Sequence, residues 1–183
     1  MIDLSEDDKK TLLNIARDAV KVHLSGNGSR KKYNLSDALK SKCGAFVTLK
    51  NKGELRGCIG MLQSEKELHG TVADMAVSAA TNDTRFSSVE ISELSDLDIE
   101  ISVLSPFKII KNTDEIEVGK HGILIQKLPF QGLLLPQVAT ENKWDRNTFL
   151  EYTCMKAGLS TNAWKEKDTV IQIFSADVFG EKE

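Results

Sequence analysis

Ala45-Phe46-Val47-Thr48-Leu49 and Leu55-Arg56-Gly57-Cys58-Ile59-Gly60, separated by Asn51-Lys52-Gly53, are the stretch on which the fold turns. Apolar residues recur here at every second position, the spacing that puts one face of a strand in a core. Asn51-Lys52-Gly53 is a short turn whose glycine can take the left-handed position, so the segment reads as a β-hairpin. With those three residues as the loop, Leu49 faces Leu55, Val47 faces Gly57 and Ala45 faces Ile59. The opposite face then carries Phe46, Thr48 and Lys50 across from Cys58, Arg56 and Glu54.

Moving outward, Ser5 with Asp8 three residues on opens a helix with Leu12, Ile15, Ala16, Ala19 and Val22 on its apolar stripe, ending at Gly26-Asn27-Gly28. Ser64-Glu65-Lys66-Glu67 has the form of a capping box for a second helix, with Leu68, Val72, Met75, Ala76 and Ala79 inward and an end near Ala80. Asp98 to Leu104 alternates as a half-buried strand. A second hairpin is expected from Ile123-Leu124-Ile125 and Leu133-Leu134-Leu135 around Pro129-Phe130-Gln131-Gly132. Asp145 then caps a helix with Phe149, Leu150, Thr153, Cys154 and Ala157 inward, and Val170 to Phe174 is the last strand. Both halves thus read hairpin, helix, strand. An internal duplication of such units makes an α+β protein with a mainly antiparallel sheet and flanking helices. It is one domain over residues 1–183, with possible lobes 1–110 and 111–183.

The 183 residues include 24 Lys+Arg against 27 Asp+Glu, a net charge of -3. With 40% hydrophobic residues the chain can bury a core, which excludes a disordered tail. The acidic balance and the want of a basic, aromatic-interleaved patch speak against nucleic acid. The start lacks a basic segment followed by an apolar one, and no uncharged apolar run reaches the roughly 18 residues a membrane helix needs. A cytoplasmic protein with no membrane contact is expected. Arg30, Lys31 and Lys32 read as a solvated connection. Cys43, Cys58 and Cys154 are unevenly spaced and read as free thiols, and His23 and His69 lack ligand-spaced partners, so neither a metal nor a cofactor is implied.

Two glycines inside a strand are expected where a bulge forms or another group approaches the backbone, which makes Gly57 and Gly60 candidate binding positions. Period-two geometry puts Arg56 beside Cys58. A guanidinium there favours the nucleophilic thiolate and offers paired donors to an anion. The competing reading is a small Cys packed beside Phe46, with Arg56 merely on the surface. In Asp83-Thr84-Arg85-Phe86 the acid and base can pair and lock the helix exit, or serve substrate recognition. His121, between Lys120 and Gly122, is a candidate general base or simply a loop residue. Cys154 falls on a core face.

Gly-Ala-Phe-Val-Thr-Leu (44–49), Leu-Arg-Gly-Cys-Ile-Gly (55–60), Asp83-x-Arg85-Phe86, Gly119-x-His121-Gly122, Leu135-Pro136-Gln137-Val138, Trp144-Asp145 and Lys156-Ala157-Gly158-Leu159 with Trp164 resemble the AMMECR-type family, the A component of the AmmeMemoRadiSam system. The resemblance covers nearly the whole chain. It implies a duplicated α+β fold with a barrel-like sheet, and action with a radical SAM enzyme and a Memo-type protein, but no reaction. Thr84, Ser87 and Ser88 depart from it, since prolines are common around that element in the family. An enzyme reading gives Cys58 the role of nucleophile or redox thiol, Arg56 that of anion clamp and His121 that of base, with Asp83 and Arg85 in support. The alternative is a non-catalytic adaptor whose glycine-rich strand meets a partner or a small anion.

Overall fold

A computed structural model describes residues 3–29 and 31–182, so Arg30 of the basic connection lies outside the described residues. The chain runs α1 (Glu6–Ser25), β1 (Ala45–Asn51), β2 (Glu54–Met61), α2 (Leu68–Thr81), β3 (Leu97–Leu104) and β4 (Lys108–Ile110). It continues through β5 (Gly122–Lys127), β6 (Phe130–Leu134), α3 (Pro136–Glu141), α4 (Arg146–Lys156), β7 (Val170–Phe174) and β8 (Ala176–Gly180). Two units result, Met1–Leu104 with Asp177–Glu183, and Ser105–Ala176. The division falls after Leu104 rather than after residue 110, and the C-terminal residues join the first unit.

In the first unit the sheet order is β2-β1-β3-β8. Lys52 and Gly53 both have positive φ, 52° and 86°, so the turn has two residues of the mirror-image type that matches strand twist, and Asn51 pairs with Glu54. The register then shifts, with Lys50 opposite Leu55 but Leu49 opposite Gly57, leaving Arg56 as the extra residue of a bulge. The expected pairs therefore slip. Val47 faces Ile59, and Thr48 faces Cys58. Ala45, Val47 and Leu49 are fully buried and meet Ile99, Ile101 and Val103 of β3 on the same face. Burial of each Val, Leu or Ile among them contributes about 1.5–3 kcal/mol.

The stripes of α1 and α2 cover that face, with Val20 rather than Val22 buried in α1. The Ser5/Asp8 capping box forms. The one at Ser64 does not, because α2 begins at Leu68 and Ser64 Oγ accepts the Lys66 N–H at 3.0 Å and the Thr71 hydroxyl at 2.7 Å instead.

In the second unit the order is β4-β7-β5-β6. Lys127 pairs with Phe130, so the turn is Leu128-Pro129 and Gly132 lies inside β6 rather than in the loop. Only glycine fits there, since an added Cβ would stand 2.3 Å from the Ala157 nitrogen. Asp145 caps α4 by accepting the Thr148 N–H at 2.7 Å, and Phe149, Leu150, Thr153 and Cys154 are buried. Each sheet keeps open edge strands, so the architecture is α+β with two antiparallel sheets and not the barrel-like sheet that the resemblance implied. Among the described residues no helix is long and apolar enough to cross a membrane.

Candidate functional site

β2 is an edge strand, and its outer edge is covered by the segment that leaves α2. The Cys58 N–H donates to Asp83 Oδ2 at 2.8 Å, which satisfies a backbone donor that an edge would otherwise expose. The same carboxylate accepts the Arg85 N–H at 3.2 Å, Arg85 Nε at 2.9 Å and an Nη of Arg85 at 2.7 Å. Asp83 is 7% exposed. The Arg85 guanidinium, helped by the backbone donors of Cys58 and Arg85, holds its carboxyl well below the usual carboxylate range against the opposing cost of burial.

Arg85 is fixed on one side only. Its side chain is 56% exposed, its guanidinium lies 5.5 Å from the Phe86 ring centre, and its other Nη carries N–H groups that no described residue accepts. The bonded Asp83 carboxylate raises its pKa against the opposing cost of desolvation. Arg85 is thus tied to the carboxylate that anchors the Cys58 backbone, where strand alternation pointed to Arg56.

Arg56 reaches the other way. Displaced by the bulge, it makes a bidentate pair with Glu93, at 2.8 Å and 2.9 Å, and donates to the carbonyls of Ser87 at 2.8 Å and Ser88 at 3.3 Å. Four of its five N–H groups are spent inside the protein. It fastens the 83–93 segment to β2.

Cys58 is half-buried. The Thr48 hydroxyl donates to its sulfur at 3.2 Å, a contact made by the slipped register that puts the two residues opposite each other. The approach expected at the two glycines is made by the chain itself. A Cβ on Gly57 would lie 2.1 Å from the Ala79 carbonyl oxygen, and one on Gly60 would lie 2.3 Å from the Phe46 ring.

His121 belongs to the second unit. Its Nδ1 accepts the Glu117 N–H at 3.1 Å, which assigns the ring proton of the neutral form to Nε2. The lone pair that a base would use is held by the backbone. Cys43 and Cys154 are buried, and desolvation pushes the Cys43 thiol up to about 11 and the Cys154 thiol above its ordinary value. No cluster of His, Cys, Asp or Glu able to hold a metal occurs among the described residues.

The structure therefore brings Cys58, Asp83 and Arg85 together, with Arg56 behind them. Sequence reading missed Thr48 and Glu93. Neither had a signal in the sequence, because Thr48 meets Cys58 only through the bulge at Arg56 and the pairing of Glu93 depends on the path of a loop.

The AMMECR1 family model matches residues 13–179. A protein of Methanothermobacter thermautotrophicus is 43% identical over 97% of this chain and 96% of its own length. One of Methanosarcina mazei is 40% identical over 98% and 94%. The crystal structure of an uncharacterized protein from Pyrococcus horikoshii superposes with a TM-score of 0.90 at 34% identity, covering 98% of this chain and 94% of that one.

Proposed function

The chain belongs to the AMMECR1 family, and from that premise we propose that its first unit carries a thiol-dependent site for a small anionic molecule, centred on Cys58. The observation that carries the reading is the shared carboxylate. Asp83 anchors the backbone of Cys58 and one edge of Arg85, so a half-buried sulfur and an outward guanidinium are held in fixed relation. In this reading the free edge of Arg85 receives the anion. The Cys58 thiol, giving its proton to solvent, attacks an acyl carbon of the same molecule, so that a C–S bond forms as the bond to the leaving group breaks and that group departs with its electron pair. Thr48 orients the sulfur. Asp83 and Arg56 are positioning residues, the first acting through Arg85 and the second through the 83–93 segment. His121 has no step here, because its free lone pair is engaged.

The resemblance supports a further proposal, that the site works beside a radical SAM enzyme and a Memo-type protein. A purely adaptor role on the same strand would need open backbone at Gly57 and Cys58, and that backbone is occupied by Ala79 and Asp83. Cys58→Ser keeps a small polar side chain and removes the thiolate. Genetic complementation paired with a melting curve is expected to show loss of function with the melting temperature retained. Full function in the serine variant would end the catalytic reading.

A further inference from the structure

The basic connection after α1, which the sequence presents as a solvated loop, borders the roof of a cavity. Between α1, α2 and residues 31–35 lies a space of about 410 Å³. Ligand pockets commonly measure roughly 300–1,000 Å³. None of Arg56, Cys58, Asp83 or Arg85 lines it. Its floor is Ile15, 6% exposed, and Ala73, 2% exposed, part of an apolar cluster separate from the main core that Tyr33 and Leu35 flank.

The space exists because of residue size. Gly70 and Ala73 are three apart on α2 and so share a face, and a Cβ built on Gly70 meets no atom within 4 Å. A glycine in place of a larger residue therefore leaves this side of the first turn of α2 open. The roof is held in place: the Lys31 N–H donates to Asp18 Oδ2 at 2.8 Å, and the Tyr33 hydroxyl donates to the Asn14 carbonyl at 3.2 Å.

Charge at the rim is unbalanced. Lys31 and Lys32 are exposed, and neither ammonium is in an ion pair among the described residues. Against these two ammonium groups the lining sets one carboxylate, Asp18, with one oxygen on the Lys31 backbone; Glu67, outside the lining, lies 2.8 Å from His69 Nε2. We infer that this cavity is a binding site for a small organic anion, its apolar body on Ile15, Tyr33, Leu35 and Ala73 and its charged group at Lys31 and Lys32. The site is independent of Cys58.

Fluorescence titration of the full chain with anilinonaphthalene sulfonate, an apolar anion, tests this against neutral phenylnaphthylamine. Saturable one-to-one binding is expected, abolished by Gly70→Leu, which fills the cavity with a better helix former. Lys31→Gln with Lys32→Gln should weaken the anionic dye about tenfold and spare the neutral one. Displacement of the dye from unaltered protein by decanoate, and not by decanol, reads the same preference without a substitution. Binding that never saturates, or that survives Gly70→Leu, overturns the site. Equal loss of both dyes in the lysine variant, or equal displacement by decanol, overturns its anion selectivity.

Discussion

In the first unit Gly57 of β2 lies against Ala79 of α2, and in the second Gly132 of β6 lies against Ala157 at the end of α4. The ladders β2-β1-β3 and β6-β5-β7 follow the same order, a hairpin whose first strand also pairs with the strand after the helix. One residue beyond each glycine the two part company. Cys58 stands opposite Thr48, and Leu133 stands opposite Leu124. The second hairpin shows that this scaffold folds with leucine where the first has a thiol. Helix exit differs likewise, since Asp83 returns to the strand in the first unit while Ala157-Gly158-Leu159 follows α4 in the second. The thiol, the carboxylate and the guanidinium are thus additions to a repeated frame rather than requirements of it.

The largest effect should come from the shared feature. Gly57→Ala and Gly132→Ala each force a methyl into backbone and should each destabilise by about 3 kcal/mol, read as a fall in denaturant midpoint. Tolerance at either position would break the equivalence of the two hairpins. Arg56→Ala removes a tie that, among the described residues, has no counterpart on β6, with the Arg56 side chain 15% and its Glu93 partner 27% exposed. A loss of about 2 kcal/mol is expected, with new proteolytic cleavage within residues 83–93.

Asp83→Asn should have a smaller, pH-dependent effect. The folded state depresses the Asp83 pKa, so its contribution is full above the unfolded value of about 3.9 and is lost as pH falls through the folded one. Unfolding curves should therefore show the native protein ahead of the variant by a constant margin from neutral pH down to about pH 5, narrowing only below about pH 4. A margin that vanished near neutrality would place the effect on another group. The smallest effect on stability is expected for Cys58→Leu, which copies the second hairpin: within about 1 kcal/mol in the melt, yet inactive in complementation.

Apolar runs and spacing, with the caps at Ser5 and Asp145 but not that at Ser64, made both hairpins and α1, α2 and α4 readable, because those signals are local. Register was not, since Lys52 takes a positive φ that only the three-dimensional turn reveals, and the bulge at Arg56 then displaces every later pair. Gly132 was misplaced for a related reason: glycine marks turns, but here it marks a helix pressing on a strand. Cys58, Asp83 and Arg85 were legible as chemistry-bearing residues. The turn of Arg56 toward Glu93 was not, because it depends on the path of a loop. β4 and α3 are too short to carry a periodic pattern, and β8, which follows the strand read as the last, has no apolar run like that of β7.

Alkylation of the native protein at neutral pH, followed site by site by mass spectrometry, tests the thiol site most directly. Cys43 is 9% exposed and Cys154 is fully buried, whereas Cys58 opens toward solvent on the face of the sheet opposite the core. Cys58 is predicted to label well ahead of both while the fold stays intact. Labelling of Cys58 no faster than that of Cys154 in the folded chain would contradict a reactive thiol at this site.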